Sequence, residues 1–239
     1  MTTPQDPTLA LFNIVGSVSP VLVTYTQDKI VDELWSRPGL SRRDRAIVTI
    51  STLVARNAQL AYPHYLEKAL DSGLEPSELS ELMTHLAFYA GWPNAFGAMS
   101  TLSAIFAKRG VTTDQLPGVS ADLIPLEEAI PDEAIRAGFI AETVTPVSPS
   151  LQHFTDDLLY HEVWRRPGLA PRDRGLATLS VLATSGQSDF LPFYFSRARE
   201  QGLTVEQFGE ALSHIAFYGG WGAAIRAAGV MKTSLKDET

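Results

Sequence analysis

The chain contains no cysteine. That absence excludes disulfides, thiolate metal ligands and every mechanism that runs through a thiol. Positive charge is also scarce, with nineteen Lys and Arg against twenty-seven Asp and Glu and a formal charge of −8. The cations are scattered singly or in pairs, so nucleic acid is not an expected partner. No segment approaches about eighteen uninterrupted apolar residues, the length that suggests a membrane span. The opening stretch MTTPQDPTLALFNIVGSVSP has no basic region ahead of its short apolar run. Neither a membrane nor a secretory signal is expected, and the chain reads as cytoplasmic. The five histidines form no His-x-x-x-His or Glu-x-x-His group, so no metal is expected either.

What the sequence does contain is a repeat. HLAFYAGWPNA, His85 to Ala95, returns 129 residues later as HIAFYGGWGAA, His214 to Ala224. The same offset carries Ser19-Pro20 onto Ser148-Pro149, WSRPGL at Trp35 onto WRRPGL at Trp164, and the Arg43-Asp44-Arg45 string onto the one that begins at Arg172. Roughly a third of positions are identical from Ser19 to Ser103 without an insertion, which marks a tandem duplication of one small domain rather than a solenoid. The expected organisation is a tail over 1–18, repeat 1 over 19–109, a linker over 110–147 and repeat 2 over 148–239. The linker is rich in proline and acid, with one short helix around DEAIRAGFI.

Within each repeat the punctuation is helical. Ser41 followed by Asp44 forms an N-cap ahead of the apolar run AIVTISTLVA, Gly73 stands at a helix stop, and Pro76 suits a first helical turn. Leu79, Leu82, Leu86 and Tyr89 recur at spacings of three and four, one apolar face of a helix. Period-two alternation beside hairpin dipeptides is missing. The expectation is an all-α fold with about five helices per repeat.

RPGL, RDR, the ALDSGL helix end and above all HLAFYAGWPNA resemble the carboxymuconolactone decarboxylase family, which includes alkylhydroperoxidase D-like proteins. The resemblance covers both repeats and implies small all-α domains that assemble through helices into rings of three or six. Two fused copies would then form an intramolecular pseudo-dimer, and three chains a ring. It also implies positions for the Cys-x-x-Cys pair of the peroxidatic branch, which fall here on Ala58 and Ala61 and on Gln187 and Phe190. A peroxidase is therefore not expected. The histidine of that pattern falls on Tyr65 and Tyr194.

The remaining candidates for chemistry are few. His85 and Tyr89 lie four apart on one helix face, and His214 and Tyr218 repeat the spacing. Tyr65 and Tyr194 add phenols, which donate hydrogen bonds at neutral pH. His64 belongs to repeat 1 alone, since its counterpart is Phe193, and this marks the first copy as the more reactive one if the two differ. Arg45 and Arg174 could hold a substrate carboxylate or be salt-bridged. Trp92 and Trp221 could contact a ligand or pack in the core. Each histidine also has a plain reading as a satisfied core residue. His153 and His161, without matches in repeat 1, are expected on the surface.

Two functions follow. One is a cofactor-independent lyase, isomerase or lactone-processing enzyme that works on a small cyclic carboxylated or lactone-like substrate by His and Tyr acid-base chemistry. The other is a ligand-binding or assembly module that keeps only the fold.

Overall fold

The computed structural model describes residues 7–237. After α1 (Pro7–Val18), the first repeat runs through α2 (Pro20–Tyr25), α3 (Arg42–Ala55), α4 (Tyr62–Asp71), α5 (Pro76–Ala90) and α6 (Trp92–Arg109). The linker holds α7 (Leu126–Ala129) and α8 (Glu133–Thr143), one helix more than the sequence suggests. The second repeat follows with α9 (Pro149–His153), α10 (Pro171–Thr184), α11 (Leu191–Glu200), α12 (Val205–Gly219) and α13 (Trp221–Asp237). Each repeat therefore has five helices, and no strand occurs among the described residues. None of the described helices is long and apolar enough to cross a membrane.

The core is built around two helices that are buried on every side. Every residue of α3 from Asp44 to Val54 is buried, and α10 is buried from Asp173 to Thr184. A helix apolar almost all round must be enclosed by others. Here α3 and α10 pack on each other, while α12 crosses to α3 and α5 crosses to α10. Each repeat thus completes the other's core, which a short helical domain could not fill alone. The linker adds Ala129 and Ile130 to the same core, and Gln201 Nε2 donates to the Ala129 carbonyl at 2.8 Å.

Two local features aim residues at this seam. Ser41 caps α3, its Oγ accepting from the Asp44 backbone N–H at 3.0 Å, as the sequence predicts. Upstream of α3 and α10, α2 and α9 widen into π-helical turns over Thr26–Glu33 and Phe154–Tyr160, followed by 3₁₀ turns at Leu34–Ser36 and Val163–Arg165. Those 3₁₀ turns present Trp35 and Trp164 to the interior, where both are buried. The RPGL loops then seat a carboxylate. A Cβ at Gly168 would come within 2.6 Å of Glu81 Cγ, so only glycine allows so close an approach.

Candidate active site

Where the repeats interlock, two related clusters form, and each draws on both copies. In the first, α5 supplies His85 and Tyr89. Repeat 2 supplies Thr178 and Arg174 from α10, Tyr194 and Arg197 from α11, and Trp164 and Tyr160 from the turns before α10. His85 Nε2 lies 2.8 Å from Thr178 Oγ1. Trp164 Nε1 donates to Tyr89 Oη at 2.9 Å, Tyr89 Oη donates to Tyr194 Oη at 3.3 Å, and Tyr194 and Tyr160 share a hydrogen bond of 2.8 Å. In the second cluster α12 supplies His214 and Tyr218, and repeat 1 supplies the rest. His214 Nδ1 faces Thr49 Oγ1 at 3.3 Å, Trp35 Nε1 donates to Tyr218 Oη at 2.9 Å, and Tyr218 Oη donates to Tyr65 Oη at 3.0 Å.

Burial fixes the protonation states. It pushes His85 well below its ordinary value, and the nearby Arg174 charge pushes the same way. Burial lowers His214 to about 3, again helped by a guanidinium, that of Arg45. Both imidazoles are neutral at physiological pH; in each, one ring nitrogen faces a threonine hydroxyl, and a backbone carbonyl lies beside the ring as well, that of Arg174 at His85 and that of Leu34 at His214. The phenols of Tyr65, Tyr89, Tyr194 and Tyr218 are raised by burial above the ordinary tyrosine value. They act as uncharged donors.

Behind each imidazole lies an ion pair that also joins the repeats. Arg174 Nη2 donates to Glu81 Oε2 at 3.0 Å and to the Arg166 carbonyl at 2.8 Å. Arg45 Nη2 repeats this with Glu210 Oε2 at 3.2 Å and the Arg37 carbonyl at 2.7 Å. Burial pushes the Glu81 carboxyl upward, but hydrogen bonds from Arg166 and Arg174 outweigh it and hold the group below the usual range. Arg43 pairs with Asp173 at 2.7 Å and Arg172 with Asp44 at 2.8 Å, so the RDR strings fasten the two helix starts to each other.

The sequence candidates are therefore divided between the clusters in an order that the linear chain does not suggest. Tyr89, His85, Tyr194 and Arg174 meet in one cluster. His214, Tyr218, Tyr65 and Arg45 meet in the other. His64 stands edge-on to Tyr65, ring centroids 4.7 Å apart, and so belongs with His214 rather than with His85 of its own repeat. Trp92 and Trp221 lie in neither cluster. They are 53% and 56% exposed and pack instead against Phe88 and Phe96 and against Phe217, so neither core packing nor contact with the clusters describes them. His153 is exposed beside Asp157, and His161 is half-buried against Glu133.

Several members escaped the sequence reading. Thr49 and Thr178, Glu81 and Glu210, and the indoles of Trp35 and Trp164 are identical pairs at the 129-residue offset. Scanning that offset for polar identities would have found them. Tyr160 and Arg197 leave no such signal, because their counterparts are Val31 and Lys68, and Asp132 lies in the linker, outside both repeats. A cavity of about 380 Å³ lies between α5 and α6, lined by Met83, Met99, Leu102 and Phe106 among others, and a second of about 410 Å³ lies beside Arg172 and Glu200. Neither reaches His85 or His214. No group of residues suited to a metal ion occurs among the described residues.

Comparison with known proteins adds the following. The sequence profile of the carboxymuconolactone decarboxylase family matches residues 27–104 and 149–233. The chain is 34% identical over 84 residues to a 4-carboxymuconolactone decarboxylase of Acinetobacter baylyi, a match that covers 35% of this chain and 63% of that protein. It is 32% identical over 66 residues to a nitrosuccinic acid decarboxylase of Metarhizium robertsii, covering 28% and 46%. The chain thus spans less than two thirds of the length of either curated relative. A crystal structure described as a gamma-carboxymuconolactone decarboxylase subunit from Burkholderia xenovorans LB400 superposes with a TM-score of 0.50 over 99% of this chain and 100% of that one, at 18% identity. At that identity the likeness shows the fold alone.

Proposed function

The chain belongs to the carboxymuconolactone decarboxylase family, and we propose that it is a cofactor-independent decarboxylase-like enzyme for a small carboxylated substrate, working at the His and Tyr clusters. The observation that carries this reading is the buried, neutral imidazole beside a threonine hydroxyl, set against a ladder of uncharged phenols. Such a site favours reactions whose charge spreads out as they proceed, because it is dry and its donors are already oriented. One carboxylate of the substrate would be held by a cation. The bond to the second carboxylate would break, CO₂ would leave, and the electron pair would pass into an adjacent carbonyl or lactone to give an enolate. The phenols would stabilise that oxygen, and the carbon would then take a proton from a phenol, which would regain one from solvent water through its tyrosine neighbour. Isomerisation or lactone hydrolysis would use the same groups, and the names of the two curated relatives favour decarboxylation over both.

The test is CO₂ release from a panel of small cyclic, lactone and nitro carboxylates. Protein-dependent release that falls about 10²-fold in Tyr218→Phe or His214→Asn supports the reading. No release from any member counts against it and favours a ligand-binding module, the reading to which two observations point: both copies carry Tyr where the family pattern has His, and neither cavity reaches the imidazoles.

We also infer that three chains close a ring. Phe88, Trp92 and Phe96 meet edge-on in sequence along one surface, and exposed Phe217, Trp221 and Ile225 occupy the same positions at the offset, with Phe217 edge-on to Trp221. Two matched apolar patches on opposite repeats suit head-to-tail closure.

A further inference from the structure

The two clusters differ at the positions that decide whether an anion can enter. In the His85 cluster the place is already taken. Arg197 is fully buried, its Nε and Nη2 donate to Asp132 Oδ1 and Oδ2 at 2.6 and 3.0 Å, and its guanidinium lies 5.0 Å from the Trp164 ring and 5.4 Å from the Tyr194 ring. Asp132 comes from the linker, at the start of α8. Tyr160, itself buried, closes the same space by bonding to Tyr194.

At the same offset, the His214 cluster has Lys68 for Arg197, Val31 for Tyr160 and His64 for Phe193. Asp132 lies in the linker, outside both repeats, so the repeat pattern supplies no counterpart to its charge. The Lys68 ammonium sits 4.3 Å above the Trp35 ring and makes no ion pair among the described residues. Tyr65, three residues earlier on α4, presents its phenol on the same helix face. Its oxygen accepts from Tyr218, and among the described residues its own hydroxyl hydrogen has no acceptor. Tyr65 is half-buried and Val31 exposed here, whereas their counterparts Tyr194 and Tyr160 are buried.

We propose that the His214 cluster is the anion site, that Lys68 and the Tyr65 hydroxyl hold a carboxylate of the ligand there, and that Asp132 fills the equivalent place in the His85 cluster as a built-in occupant. The chemical class of ligand is a small organic carboxylate. Burial, with the Arg42 charge second, lowers the Lys68 ammonium below its ordinary value, so a bound carboxylate would restore what burial removes. This deepens the decarboxylase reading and rests on it for the direction of chemistry, but the binding claim stands on its own test.

That test is a titration of the full chain with succinate, followed by the four indole N–H resonances. The Trp35 signal should move saturably while the Trp164 signal stays in place. Lys68→Met should weaken binding about ten- to a hundredfold, as expected for loss of a charge-assisted contact, and Lys68→Arg should keep most of it. Asp132→Asn should make Trp164 respond to succinate as well. Movement of Trp164 alone in the unaltered chain, no movement of either signal at millimolar succinate, or equal affinity in Lys68→Met overturns the proposal. Binding at Lys68 without CO₂ release from any carboxylate leaves this proposal standing and removes the decarboxylase reading. CO₂ release that ignores Lys68 does the reverse.

Discussion

Replacing Glu81 by glutamine keeps the shape of the side chain and removes its charge. Glu81 is 2% exposed and accepts from Arg166 Nε at 2.8 Å and from Arg174 Nη2 at 3.0 Å. Arg174 is wholly inaccessible, and its Nε and Nη1 already lack partners. The substitution therefore leaves a buried guanidinium uncompensated, which costs about 3–5 kcal/mol. For a chain of this size a kilocalorie shifts the melting temperature by about 2–4 °C, so a fall of roughly 6–20 °C is expected. Glu210→Gln is the internal control. Its partner Arg45 is equally inaccessible, but the Glu210 side chain is 15% exposed and its other partner, Arg37, is 44% exposed. Water reaches that pair, and the loss should be about 1–3 kcal/mol. Urea unfolding of the two variants side by side measures both. Adding Arg174→Met to Glu81→Gln should recover part of the loss, because the stranded charge goes with it. Equal losses at 81 and 210, or no recovery in the double variant, would refute the argument that the Glu81 pair is the more deeply buried anchor of the two.

Acid should destabilise the protein in a defined window. His214 and His85 bind protons in the unfolded chain near pH 6.5 but resist them when folded, His214 down to about 3, so stability present above pH 6.5 should be lost steadily as pH falls toward 3; a flat urea midpoint across that range would contradict it. His64→Phe keeps the edge-on packing that Phe193 already makes on Tyr194 at 5.2 Å but removes the ring nitrogens, and His64 interacts beyond that ring contact, so unfolding free energy should fall by about 0.5–1.5 kcal/mol; an unchanged urea midpoint would mean that only its ring packing matters. Trp92→Glu with Trp221→Glu should convert a three-chain mass in light scattering to one chain, and a single-chain mass for the unaltered protein would remove the ring.

Most of the helical plan could be read from the residues, since the caps at Ser41 and Pro76 and the spacing of Leu79, Leu82 and Leu86 act within one turn. The duplication was equally plain, because an offset of 129 survives without insertion. The make-up of the clusters was not. Periodicity places His85 and Tyr89 on one face, but it does not say that the face opposite belongs to the other repeat, because that depends on α5 crossing to α10 and α12 to α3. The same crossing separates His64 from His85 of its own repeat. Trp92 and Trp221 read as core anchors because large aromatics are usually buried; they are exposed because α6 and α13 begin there, just outside the packed ends of α5 and α12. The π-helical turns before Trp35 and Trp164 left no pattern to read, since their register is set by the indoles they carry inward.

The central claim is that each cluster is shared between the repeats, and a double-mutant cycle on unfolding free energy tests it without any substrate. Trp35→Phe and Tyr218→Phe remove the two ends of one 2.9 Å hydrogen bond between repeats, and Trp35→Phe with Tyr89→Phe serves as the unpaired comparison. The account predicts a coupling of about 1 kcal/mol for Trp35 with Tyr218 and additivity within about 0.5 kcal/mol for Trp35 with Tyr89. Coupling of Trp35 to Tyr89 of its own repeat, with none to Tyr218, would contradict it.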